Sequence, residues 1–207
     1  NEGKLVSMNF KKIHQEILKR SSEYSIIKNE IKKNGLIKIQ KSKLDLFTFI
    51  TKIIISQQIS DKVAQSLWKK FCLFLKTEYP TKSDIIDKHQ LNNVLENLGI
   101  SQKKKSYIKA FYDNSKENLI NLLEHQNEEI IRTSLIKFSG IGNWTCDMVL
   151  IFYLNRINIF PTSDLIIKKT SERLCALENK KIDFTNSFSP YLSVFSLHLW
   201  KMSKRVL

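Results

Sequence analysis

Glycine and proline are scarce, with 5 and 3 residues among 207, and no Gly-, Ser- or Pro-rich stretch marks a flexible linker. Cysteine is equally sparse. Cys72, Cys146 and Cys175 form an odd, widely spaced set, which excludes a disulfide framework and fits reduced thiols. The histidines His14, His89, His125 and His198 have no metal-ligand spacing to cysteine or to one another, so neither zinc nor an iron–sulfur cluster is expected. Long apolar runs are also lacking. Phe47–Ile55 is broken by Thr48, Thr51 and Lys52 and is too short for a bilayer, so no membrane partner is expected. Asn1–Ser7 lacks a signal-peptide pattern, and Met8 reads as a native start. A secreted protein is not expected; a bacterial cytoplasm and association with the nucleoid are.

Acidic residues are outnumbered, 20 against 34 Lys and Arg, for a formal charge of +14 and a pI near 9.6. The excess is spread along the chain, not confined to a tail. A polyanion is the natural partner, because each phosphate neutralised releases counterions; the bland alternative is a set of solvated surface lysines. An apolar content of 42% over this length is ample for one continuous core.

Apolar residues recur at helical spacing in nearly every segment, and strand-like alternation is rare, so the fold class is all-α. Phe10, Ile13 and Ile17 form one face, and Ile27 and Ile31 another, closed by Gly35. Leu46–Ile55 makes a strongly apolar helix, and Ser60 caps the next, whose inner face is Val63, Ala64, Leu67 and Phe71, with Trp68 as packing. Leu91, Val94, Leu95 and Leu98 close at Gly99. Ser101 caps a helix carrying Lys103, Lys104, Lys105, Ile108 and Phe111, and Leu119–Leu123 and Ile130–Ile136 supply two more. Asn143 caps a helix through about Leu154, Ser163 another through about Leu177, and Pro190 begins a last one ending near Met202.

Two of the few glycines stand together in Phe138-Ser139-Gly140-Ile141-Gly142-Asn143-Trp144-Thr145, between helix-patterned segments. A tight turn there needs backbone freedom that a Cβ resists, and its amides face a helix N-terminus suited to a phosphate. Three further pieces surround it in order: Ser56-Gln57-Gln58-Ile59-Ser60, Leu98-Gly99-Ile100-Ser101 followed by lysines, and Phe160-Pro161-Thr162-Ser163-Asp164 with Lys168 one turn on. Asp164 falls near a helix start, where the macrodipole favours negative charge; an ordinary N-terminal capping acid is its plain structural reading.

With these motifs at compatible spacings, the chain resembles the helix-hairpin-helix DNA glycosylase superfamily, most closely its 3-methyladenine DNA glycosylase II branch, from about Leu44 to Trp200. The resemblance implies a two-lobed, all-helical catalytic unit over residues 1–207. One lobe is expected at 44–155 with its hairpin at 131–155, and the other at 1–43 plus 156–207. The additional β-rich domain of some relatives is not expected in the helix-patterned residues before Leu44. Asp164 resembles the catalytic aspartate, which stabilises positive charge on the sugar and positions water. Trp144 stands where strand-cleaving relatives carry a nucleophilic lysine, so no Schiff base forms and simple hydrolysis is expected. Trp144 and Trp200 match pocket positions, with Met148, Leu165 and Ile166 completing the wall in place of the aromatics common in relatives. Cationic alkylated purines suit such aromatic faces.

For DNA, the resemblance implies phosphate contacts at Gly140, Ile141, Gly142 and Thr145, with Lys137 and Lys168 nearby. Gln57, Gln58 and Ser60 lie at the turn from which the branch inserts a wedge, Gln58 filling the gap left by the flipped base. The carbonyls of Phe138 and Ile141 match a site for a monovalent cation, Na+ or K+; no other cofactor is required. Lys103–Lys105 are either phosphate contacts or a solvated face. Asp147, the nearest other acid, is expected to be structural. The arginine common before the last helix is replaced within Phe188-Ser189-Pro190-Tyr191-Leu192-Ser193 by leucine. The expectation is a monomeric, monofunctional glycosylase acting on alkylated purines, 3-methyladenine or 7-methylguanine, in double-stranded DNA. The alternatives are a relative acting on oxidised, deaminated or mismatched bases, or a helix-hairpin-helix binding module without chemistry.

Overall fold

The computed structural model describes residues 9–115 and 119–207, with side chains at all of these except 120–122. Met8, read as a start, lies outside the described residues. Among them every regular element is helical, as the periodicity predicts. The chain divides into two compact units, residues 41–154 and residues 1–40 with 155–207.

In the unit of residues 41–154, α3 (Leu46–Ser56) is the central helix, with nine of its residues buried. Asp45 starts it, its carboxylate accepting from the Thr48 amide at 2.8 Å. α4 (Asp61–Leu75), α5 (Lys88–Leu98) and α6 (Gln102–Asn114) pack around it, α4 and α6 on α3 and α5 on both. Their caps follow the sequence: Ser60 accepts from Val63, Ser101 from Lys104, and Gly99 ends α5 at φ 73°. Leu91, Val94, Leu95 and Leu98 are all buried; each such side chain contributes about 1.5–3 kcal/mol by leaving water. The face assigned to α4 is only partly right, because Phe71 is fully buried while Val63 is 48% exposed in the first turn. Trp68 stacks on Phe71 at 5.1 Å, a packing role. α7 (Leu119–Glu124), α8 (Glu128–Ile136) and α9 (Asn143–Met148) complete the unit.

α9 departs from expectation at both ends. Gly142, not Asn143, is its N-cap, and after Met148 the chain widens into a π-helix over Val149–Tyr153 in place of α-helix through Leu154. Such widenings are rare and recur at functional sites.

The unit formed by the chain termini contains α1 (Phe10–Arg20), α2 (Ser25–Asn34), α10 (Leu165–Glu178), α11 (Phe184–Phe188) and α12 (Leu192–Val206). α10 and α12 pack on each other and both pack on α2. The Glu178 carboxylate, from the end of α10, accepts from the Ile26 and Ile27 amides at 2.7 and 2.9 Å, supplying the cap that Tyr24 cannot. Phe184, Phe188 and Phe195 stack as a buried aromatic column, the last two with centroids 3.7 Å apart. α12 begins at Leu192, two residues later than predicted from Pro190, whose ring follows a cis peptide bond from Ser189. Leu192 is buried at 4% and joins the apolar interior.

Candidate active site

Asp164 is the N-cap of α10, displacing the predicted Ser163, and the helix runs from Leu165. Its Oδ1 accepts from the Ile167 amide at 2.9 Å, and the residue is only 8% exposed. A carboxylate this buried needs donors, and the first turn of α10 provides one while its dipole favours the negative charge. The Asp164 amide donates to the carbonyl of Pro161 at 3.0 Å, so the Phe-Pro loop folds onto itself to present the acid. Leu165 and Ile166, next on the helix, are 71% and 43% exposed. Large apolar side chains left in water beside a buried acid suit contact with a ligand more than core packing. Lys168 is exposed one turn on. Trp200 lies on α12 in the same unit, half-buried between the fully buried Leu199 and Met202.

The hairpin belongs to the other unit. α8 and α9 pack together, and the turn between them is closed by the Ile141 amide donating to the Phe138 carbonyl at 3.1 Å. Gly140 sits at φ 87°, and a Cβ there would fall 2.6 Å from Tyr107 Cγ, so both backbone and space demand glycine. Phe138 anchors the turn, its ring edge-on to Phe111 of α6 at 4.8 Å. Arg132 of α8 pairs with Asp147 of α9 at 2.6 Å; Asp147 is 3% exposed, and the pair joins the two helices of the hairpin. Asp147 therefore has the structural part expected of it. Trp144 is half-buried on α9, with Met148 buried one turn on. Gly142 is exposed, whereas Ile141 and Thr145 are buried. Thr145, at 2% exposure, and Ile141, at 4%, are expected DNA contacts whose side chains are withdrawn from solvent. Lys137 is exposed at the end of α8.

The Ser56–Ser60 turn carries a feature that periodicity did not reveal. Gln58 is exposed and adopts φ 56°, a left-handed conformation that costs a non-glycine residue about 1–2 kcal/mol. Gln57 is half-buried, and its Nε2 donates to the Gly140 carbonyl at 3.1 Å, tying this turn to the hairpin. Two members of the lysine run, Lys104 and Lys105, depart from both readings. Lys104 Nζ donates to the Ile55 carbonyl near the end of α3 at 2.8 Å, and burial lowers its pKa. Lys105 is buried at 5% and pairs with Glu96. Lys103, 5.9 Å from the Tyr107 ring centroid, is the exposed member of the run.

Among the described residues no group of three or more His, Cys, Asp and Glu side chains is placed to hold a metal ion. No helix among them is long and apolar enough to cross a membrane.

A buried carboxylate at a helix start after a glycine hairpin defines a class, and residues 51–188 match the model of the HhH-GPD superfamily of base excision DNA repair proteins. The chain belongs to that family. Among its relatives, DNA-3-methyladenine glycosylase 1 of Schizosaccharomyces pombe is 29% identical over 165 residues, covering 75% of this chain and 71% of the relative. The alkylbase DNA glycosidase-like protein mag2 of the same yeast is 28% identical over 165 residues, covering 75% and 76%. In fold the chain is similar to S. pombe 3-methyladenine DNA glycosylase in complex with abasic DNA, with a TM-score of 0.75, 22% identity and coverage of 93% of this chain and 97% of that one.

Proposed function

We propose that this protein is a monofunctional DNA glycosylase of base excision repair that removes alkylated purines such as 3-methyladenine or 7-methylguanine. The observation that carries this reading is Asp164, 8% exposed at the N-cap of α10, inside the stretch that matches the glycosylase family. In the reaction the bond between C1′ and the base nitrogen breaks and its electron pair leaves with the base, which thereby loses its positive charge. Asp164 stabilises the cationic sugar and orients the water whose oxygen bonds to C1′; the water's proton passes to the carboxylate or to solvent. A cationic purine leaves readily, so no separate general acid is required. Trp144, with Met148 one turn on, is a half-buried aromatic of the kind that stacks on an extruded base; Trp200 is half-buried, and Leu165 and Ile166 are exposed apolar side chains next to Asp164.

The hairpin grips a phosphate through the amides of Gly140 and Gly142, assisted by Lys137, while Lys168 is exposed one turn beyond Asp164. A monovalent cation at the Phe138 and Ile141 carbonyls is compatible with the turn. The Phe138 oxygen accepts one hydrogen bond, from Ile141, and a carbonyl has two lone pairs. Such an ion would draw the turn toward a phosphate. The charge of +14 supports a polyanionic partner, double-stranded DNA, and a monomer acting in a bacterial cytoplasm completes the proposal.

The test is to incubate the protein with methylated duplex DNA, measuring released bases, heat-labile abasic sites and complexes trapped by borohydride. Release of methylated purines, with strand breaks only after heating and no trapped complex, is expected. Tight binding without release would make the chain a binding module; a trapped complex would overturn the argument from Trp144.

A further inference from the structure

The two turns assigned to DNA, Ser56–Ser60 and Phe138–Gly142, are 83 residues apart in sequence at their point of contact, the bond from Gln57 Nε2 to the Gly140 carbonyl. Both rest on α6. Lys104 holds the Ile55 carbonyl near the end of α3, Tyr107 fills the space beside Gly140, and Phe111 packs edge-on against Phe138. These residues lie at spacings of three and four along one helix, hence on one face. The direct link between the turns is Gln57, whose neighbour Gln58 is exposed and held in the left-handed region. Strained backbone persists only where its surroundings enforce it, and such residues cluster at sites of action. Gln57 is itself half-buried, so its side chain is committed to the hairpin while Gln58 remains available to solvent.

We infer that Gln57 is a positioning residue. Its side-chain amide fixes the spacing between the phosphate-gripping hairpin and the Gln58 wedge, so that gripping a phosphate sets the wedge against the base stack. Unstacking a base costs free energy, and a wedge can oppose that cost only if its backbone is fixed relative to the grip. The contribution is therefore made after the initial encounter. Phosphate contacts depend on Gly140–Gly142, whereas base extrusion depends in addition on the link through Gln57. This inference rests on the proposed roles of the two turns and adds the coupling between them.

Gln57→Leu keeps a similar side-chain volume and removes the donor. Its test combines three readouts on the full chain: affinity for undamaged duplex, the fluorescence of 2-aminopurine placed opposite an abasic analogue, and single-turnover release of methylated purine. A thermal melt of each variant establishes that it is folded. The expected result for Gln57→Leu is undamaged-duplex affinity within about twofold of wild type, with the fluorescence change and the single-turnover rate both reduced about tenfold. Gln58→Ala should reduce the fluorescence change to a similar degree, and the double variant should fall little further, because the two residues act as one unit. An unchanged signal in Gln57→Leu overturns the inference, as does an effect that multiplies with that of Gln58→Ala. Equal loss of undamaged-duplex affinity would overturn it too, reducing Gln57 to a support of the hairpin. A wild type that shows the coupled fluorescence behaviour but releases no base would refute the glycosylase reading and leave the coupling intact.

Discussion

Asp164 Oδ1 accepts a hydrogen bond from the amide of Ile167 at 2.9 Å, so the acid proposed for chemistry is also the residue that begins α10. The two readings of Asp164 are thus compatible. Capping the helix leaves the carboxylate its negative charge, which is what the cationic sugar requires.

The two roles separate by substitution. Asparagine caps a helix about as well as aspartate but carries no charge, so Asp164→Asn should melt within a few degrees of wild type and lose about 10²-fold or more in single-turnover base release. Asp164→Ala should lose the same activity and about 1 kcal/mol of stability as well. Release of methylated bases by Asp164→Asn at the wild-type rate would remove the acid from the mechanism.

Gly140 occupies φ 87° with the Tyr107 ring against its open side. Gly140→Ala should cost about 2–3 kcal/mol by urea denaturation, combining left-handed strain with steric overlap, and should weaken duplex binding by about tenfold. Adding Tyr107→Ala removes the ring but not the strain, so only part of the stability should return. Full recovery in the double variant would show that backbone conformation contributes nothing.

Arg132 and Asp147 join the two helices of the hairpin across 2.6 Å, with the acid almost wholly buried. Arg132→Leu takes the paired cation from a carboxylate that is 3% exposed and should cost about 3 kcal/mol, whereas replacing both residues by apolar ones should cost less than that single change. Urea denaturation of the single and double variants measures the difference, and an equal or larger loss in the double variant would count against a cost of burying the acid without Arg132.

His198 is fully buried on α12, 5.8 Å from the ring centroid of His14. Its Nδ1 accepts from Asn34 Nδ2, whose Oδ1 in turn accepts from Arg205. Burial, followed by the nearby charges of His14 and Lys201, pushes the His198 pKa down to about 3 from 6.5, and burial lowers that of His14 as well. Because the unfolded chain takes up the His198 proton near pH 6.5 and the folded chain only near pH 3, stability is full above 6.5 and falls as pH drops between these values. The loss from pH 7 to pH 5 should be about 2 kcal/mol in urea midpoints, and His198→Gln should flatten the profile. An equally steep profile in that variant would assign the dependence to other groups.

Much of this was legible locally. Ser60, Ser101 and Gly99 cap as their sequence positions imply, and Leu91–Leu98 bury the predicted face, because capping and helical periodicity act within a few residues. Errors of one or two residues arose where neighbours compete. Asp164 prevailed over Ser163 as the N-cap, and Gly142 over Asn143. The π-widening after Met148 had no signal in the apolar spacing. Lysines 104 and 105 misled because a run of like charges gives no sign that a carbonyl and a carboxylate await two of them.

The sequence by itself determined an all-helical chain, its excess positive charge, the glycine hairpin, and the candidacy of Asp164 with tryptophan in place of a nucleophilic lysine. Only the tertiary structure decided that Gln57 meets Gly140, that Lys104 meets Ile55 and that Arg132 meets Asp147, contacts between residues 83, 49 and 15 positions apart. Helix periodicity and caps are short-range properties of the backbone. Which donor meets which carbonyl or carboxylate across that distance is settled when apolar faces pack and buried polar groups must find partners.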